Sequence, residues 1–294
     1  MMKARRYGAS RKNGMLARLY QNMTQHRVVF TVYCVLCLFC LGVLIYSAVR
    51  GDHLGIFNSL LCLLLFFIPA FLEDQLRIEL SATLKIVTMA FIFSAQILGE
   101  VGMCYARFPF WDDLLHWING FLFAAFGFSL AEICNRQRRA TFCLSPFYLA
   151  LVACCFSLSI GVLWEFLEFG VDMITRGDMQ KDMILSTVSS GKFSENGQTA
   201  VTLNRITKTV ITTADGQTYT LDGYLDIGLI DTMKDLIVDF IGALIFSVIG
   251  YFRMKRTGPH PLADALIPKV PPAPATPVKR TKKQPQKIRK INKS

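Results

Sequence analysis

Six apolar windows constrain this chain more than any other feature. They lie near 28–49, 55–72, 82–104, 114–131, 147–170 and 236–252, and each is long enough, or nearly so, to cross a hydrocarbon core that takes about 20 helical residues. Lipid offers no partner to backbone N–H and C=O groups, so segments of this kind are predicted to be helices that satisfy their own hydrogen bonds. Hydrophobic residues are 52% of the 294, yet the formal charge is +11. A soluble domain rarely combines these values, whereas a multi-span protein with basic extramembrane segments does. The expected fold is an all-α integral membrane protein, a six-span helical bundle. The first window follows a basic stretch and is longer than the apolar region of a cleaved signal, so it reads as a signal anchor.

Lys and Arg set the expected orientation, because cytoplasmic loops carry the excess. Of the 32, 24 fall on the side holding the N-terminus, the 73–85 loop (with Lys85 at its edge), the 132–144 loop and the tail from Arg253, and 8 fall on the other. Both termini are predicted to be cytoplasmic and segment 176–230 to face outward, in a bacterial plasma membrane. The chain thus divides into a basic N-terminus (1–27), a membrane domain (28–252) and a tail (253–294). The outward segment carries TVITT and TYTL around Asp215-Gly216, and a second turn signal at Asn196-Gly197. These predict a small β-hairpin insertion, either a cover for the helix ends or a solvated loop. The tail holds PPAPATP, a stiff spacer, then KRTKKQPQKIRK, a polybasic arm. Tethered to a span, that arm is expected to lie on anionic lipid rather than nucleic acid.

The nine cysteines suggest neither disulfides nor a metal. Cys34, Cys37, Cys40, Cys62, Cys154 and Cys155 fall inside apolar runs and read as small buried hydrophobes, with Cys104 near the outer boundary. The Cys34/Cys37/Cys40 spacing has no histidine near it.

The acids are the informative residues, because they collect at one depth. Glu100 ends the third span and Asp112, Asp113 and His116 open the fourth. Glu165, Glu168 and Asp172 close the fifth; Asp231, Asp235 and Asp239 open the sixth. Asp112 and His116 are an i, i+4 pair continued by Asn119, and the other two sets also repeat at helical spacing, so each helix presents one polar stripe. Asp113 lies about 100° away from Asp112 around the helix and reads as a structural or capping residue. An ionised side chain facing lipid costs at least a few kcal/mol, so the stripes should face one another or water. Arg107, Lys234 and a protonated His116 are too few to balance them, which calls for a cation or for bound protons.

Three readings follow. In the first, Asp112, His116, Glu165, Glu168, Asp235 and Asp239 hold a divalent metal, with Glu100, Asp172 and Asp231 lining the pocket. The excess of oxygen over nitrogen favours Mg²⁺, Mn²⁺ or Ca²⁺ over Zn²⁺. Asp112, His116, Glu165 and Glu168 are then the candidate catalytic residues for a reaction on an envelope lipid or lipid-linked group. In the second, the acids serve a cation- or proton-coupled transporter, although the inner halves of the spans are nearly free of ionisable residues and Glu132 stands apart. In the third, they are hydrogen-bonding glue between helices, with Gly120, Gly161, Gly170 and Gly242 allowing close approach. No nucleophile elbow, phosphate loop or HExxH pattern narrows the choice.

WDDLLHWINGF, GVLWEFLEFGVDM and LDGYLDIGLIDTMKDLIVDFIGA, in that order over about 100–251, resemble the YjdF-type bacterial membrane-spanning proteins, whose activity is not established. An aspartate and histidine opening one helix, a glutamate in the next and an aspartate before a small-residue helix are also similar to VanZ-like proteins. That second similarity implies a role at the cell envelope. Both imply that the acid and histidine positions form one site.

Overall fold

The computed structural model describes residues 27–76, 79–136, 144–195, 197 and 199–255. The N-terminal arm through His26, Asn196 of the second turn signal, and the tail from Arg256 with its spacer and polybasic run lie outside the described residues.

Among the described residues, six helical stretches are long and apolar enough to cross a membrane: Arg27–Arg50, His53–Gln75, Ala82–Val101, Trp111–Glu132, Pro146–Thr175 and Leu229–Lys255. The first is α1 (Arg27–Arg50). The second is broken into α2 (His53–Leu65) and α3 (Ile68–Leu76), where Pro69 sits in the first turn of α3 and cannot extend the helix before it. The third starts as α4 (Ala82–Phe93) and winds into a π-helical segment, Ser94–Val101. A short α5 (Cys104–Arg107) leads to α6 (Trp111–Arg136), followed by α7 (Pro146–Thr175) and α8 (Leu229–Lys255). Local chemistry marks the starts. Asp52, Ser81 and Ser145 accept from Gly55, Leu84 and Tyr148 backbone N–H groups, and Pro146 stands at the first position of α7, where no N–H is needed.

The sixth helix begins at Leu229, several residues before its apolar window. Asp231 and Asp235 are therefore helical and buried, at 9% and 1% exposure. Hydropathy alone places the boundary too late, because buried acids on a span depress it.

Helices α6, α7 and α8 form the tight half of the bundle. A methyl at Gly120 would collide with the Asp239 backbone and one at Gly242 with the Trp117 backbone, so α6 and α8 cross in contact only because both residues are glycine. Ser157 Oγ of α7 donates to Gly120 C=O at 2.7 Å, tying the third helix to the crossing. Beyond it, Leu122, Ala124, Ala125, Phe128, Ala243 and Phe246 fill the interior with apolar atoms. A second cluster, with Cys40, Cys62, Phe66 and Met89, joins α1, α2 and α4. All eight described cysteines are free. Cys40 and Cys62 are buried, whereas Cys155 is exposed on the rim of the bundle and not in its core.

Lys85 belongs to α4 and not to the loop before it. It is 3% exposed, and its Nζ lies 2.8 Å from Glu73 Oε2 while Glu73 Oε1 accepts from Leu80 N–H. A fixed partner lets a lysine sit where apolar sequence would otherwise be required. Glu132 is buried as well.

The segment between α7 and α8 holds three two-stranded antiparallel ribbons: β1 (Met183–Leu185), β2 (Val188–Ser190), β3 (Val201–Leu203), β4 (Thr209–Thr212), β5 (Thr218–Leu221) and β6 (Tyr224–Asp226), paired β1–β6, β2–β3 and β4–β5. The β4–β5 hairpin is the one expected at Asp215-Gly216. Val210 pairs with Thr220, and Gly216 takes a positive φ of 81° that other residues resist. Asp215 is fully exposed; hydrogen bonds to its carboxylate, the Thr213 hydroxyl foremost, hold it below the usual carboxylate range.

Candidate acid–histidine site

His116 sits one turn into α6 with 7% of its surface exposed, and carboxylates meet both of its ring nitrogens. Nε2 lies 3.7 Å from Asp235 Oδ2 and 3.9 Å from Asp112 Oδ1, while Nδ1 lies 3.6 Å from Asp239 Oδ2. The i, i+4 spacing on α6 supplies Asp112, and the i, i+4 spacing on α8 supplies the other two. One ligand atom each from Asp112, His116 and Asp235 falls within 4.8 Å of the others.

The hydrogen-bond account of this cluster is incomplete in an informative way. Neither oxygen of Asp235, at 1% exposure, has a hydrogen-bond partner among the described residues, and the same holds for His116 Nδ1 and Asp239 Oδ2. Buried polar atoms are almost always paired, so an orphaned carboxylate beside a histidine and a second acid is an arrangement that calls for an explanation. The available cations do not fill the gap. Lys234 is drawn to Asp113, 2.7 Å away on the outside of the cluster, and Arg107 is exposed.

The remaining acids divide by what they hold. Glu168 is buried beside Glu165 on α7 and accepts from Trp164 Nε1 at 2.8 Å. Asp172 accepts from the Met179 and Gln180 N–H groups, and Asp231 from Lys181 N–H. Both therefore staple the start of the β insertion to the ends of α7 and α8. Asp226 accepts from Ile230 N–H at the start of α8. Glu100 is exposed. Asp112, His116, Asp235 and Asp239 thus converge, with Glu165 and Glu168 on the facing helix, whereas Asp172 and Asp231 carry backbone and Glu100 faces out.

Tyr105 is the residue that sequence reasoning misses. It lies in α5, between spans, with its ring against Gly99 of the π-helical segment, where a methyl would strike it. Burial, together with the charge of Asp112, Glu100, Glu168 and Asp235, pushes its hydroxyl above the ordinary tyrosine range. A lone tyrosine in a loop carries no periodic signal that could have announced this.

Fold and site together define a multi-pass helical membrane protein with a buried acid–histidine centre at one end of its tightest three helices. The chain belongs to the family described as a predicted membrane protein (DUF2238), whose model matches residues 32–256. No curated protein and no solved structure matches it.

Proposed function

We propose that this protein binds one divalent cation between Asp112, His116 and Asp235 and uses it on an envelope lipid or lipid-linked group at the outer face of a bacterial plasma membrane. The observation that carries this reading is the buried Asp235 carboxylate, unpartnered, at 3.7 Å from His116 Nε2. One nitrogen and two or more oxygens suit Mg²⁺, Mn²⁺ or Ca²⁺ better than Zn²⁺. A cation held there supplies Lewis-acid polarisation of a substrate oxygen. Glu165, buried on α7 and near His116, is the group placed to take a proton.

The lipid part of the reading is supported by an open apolar groove of about 650 Å³ lined by Leu38, Phe39, Tyr46, Leu98, Val101 and Gly102. Its last lining residue, Gly102, is three residues from Tyr105 along the chain, and an apolar groove of this kind suits an acyl chain. The orientation rests on the Lys and Arg excess, which puts both termini in the cytoplasm and the polybasic tail against anionic lipid. The likeness to YjdF-type proteins rests on motifs within the matched region, and the envelope setting on the VanZ-like pattern. Transport is less favoured, because Phe128 and Phe246, both at 0% exposure, close the interior beyond Asp239.

Metal analysis of the purified protein, with Asp112→Asn/His116→Ala as the control, tests the reading. One Mg²⁺, Mn²⁺ or Ca²⁺ per chain in the wild type and none in the double variant is expected; no stoichiometric metal in either refutes it.

A further inference from the structure

The two nitrogens of His116 are not equivalent. Nε2 faces two acids, Asp112 and Asp235, the arrangement of an ion slot. Among the described residues Nδ1 faces Asp239 alone, with Oδ2 3.6 Å away and no other partner for either atom, and Asp239 is seated from all three helices. Its Oδ1 accepts from Asn119 Nδ2 at 3.4 Å, its backbone packs on Gly120, and its Oδ2 occupies space that exists only because residue 161 of α7 has no side chain. Three helices therefore converge to seat one carboxylate, at 1% exposure, beside one imidazole nitrogen.

We infer that Asp239 is a positioning residue: it accepts the Nδ1 proton of His116, fixes that tautomer, and so turns the Nε2 lone pair toward the space shared by Asp112 and Asp235. The inference rests on the cation reading above and deepens it, because it takes Asp239 out of the ligand set. A histidine that binds a metal through one nitrogen characteristically donates the other N–H to a carboxylate, and loss of that partner typically weakens binding about 10–100-fold. Asn119 and Gly161 then belong to the same device, one holding the carboxylate's far oxygen and the other leaving room for the near one.

Asp239→Asn gives the sharpest test. Asn119 already donates to the outer oxygen, so the carboxamide would keep its oxygen toward Asn119 and turn its NH₂ toward Nδ1. That reverses the tautomer and puts a proton on Nε2. The full chain, labelled with ¹⁵N-histidine and held in lipid nanodiscs with EDTA at a pH alkaline enough for the imidazole to carry a single proton, reports the tautomer, with the His116 signal identified by its loss in His116→Ala. Mn²⁺ binding followed by electron paramagnetic resonance reports affinity.

The expected result is an Nδ1–H tautomer in the wild type, an Nε2–H tautomer in Asp239→Asn, and Mn²⁺ affinity lower by about 10–100-fold in that variant. Gly161→Ala, which crowds the carboxylate without removing any charge, should move both readouts in the same direction by less, and serves if Asp239→Asn does not fold. An unchanged tautomer in both variants overturns the inference. So does complete loss of Mn²⁺ in Asp239→Asn with the tautomer intact, which would make Asp239 a ligand. A wild type that binds no Mn²⁺, yet whose tautomer reverses in Asp239→Asn, leaves the positioning role standing and sinks the metal reading instead.

Discussion

Replacing Asp235 by asparagine should stabilise the protein without divalent cations and destabilise it, relative to wild type, with them. The magnitude follows from the geometry. Ligand oxygens of Asp112 and Asp235 lie within 4.8 Å of each other, and two unit charges at that separation repel by about 3.5 kcal/mol at an effective dielectric of 20. The Asp112 side chain is 31% exposed, which screens part of this, so at a pH where His116, 3.7 Å from Asp235, is uncharged and offers no compensating ion pair, relief of about 1–3 kcal/mol is expected when Asp235 loses its charge. For a chain of this size that is a rise of several degrees in unfolding temperature in EDTA. A bound cation reverses the order: at 100 times its dissociation constant it stabilises the wild type by about 2.7 kcal/mol and leaves a protein that has lost the ligand unchanged. Thermal unfolding in nanodiscs, with EDTA and with Mn²⁺, gives the four values needed. If Asp235→Asn is no more stable than wild type in EDTA, the two acids do not repel, and the cluster is neutral hydrogen-bonded glue.

Two further outcomes follow from other parts of the structure. Lys85→Met or Glu73→Gln alone removes one charge of the buried pair and should cost about 3–5 kcal/mol, whereas Lys85→Met with Glu73→Gln, which keeps an acceptor for Leu80 N–H, should recover most of it; a double variant as unstable as the singles in denaturant unfolding would show that the pair has no mutual role. Asp231→Ala removes the acceptor that holds Lys181 N–H, so limited proteolysis between Met183 and Asp226 should quicken while Mn²⁺ affinity at His116 stays within about twofold; an equal loss of affinity would return Asp231 to the pocket itself.

Much of the site was legible because helical periodicity is local. Asp112 with His116, and Asp235 with Asp239, share faces by spacing alone, and the cost of charge in lipid says those faces turn inward. Periodicity does not say how far a helix is rotated or what stands opposite. Asp172 and Asp231 lie on the same stripes as the converging acids, yet each is spent on backbone N–H groups of the insertion, a partner dozens of residues away or across a turn. Lys85 looked like a loop charge because its neutralising partner, Glu73, is on another span. Tyr105 is packed where it is because Gly99 of the π-helical segment leaves room for its ring.

What the sequence determined by itself was the class of molecule: six spans, a hairpin at Asp215-Gly216 and a band of acids at one depth. Hydropathy, turn chemistry and helical spacing each act over a few residues, and a bilayer adds an external solvent whose demands are the same for every chain. The tertiary structure decided which acid meets which nitrogen of His116. That choice depends on the α6–α8 crossing at Gly120 and Gly242, where ångström differences between backbones separate a carboxylate that faces Nε2 from one that faces Nδ1. Such distances arise from the packing of three helices at once, and no pattern along one of them contains that information.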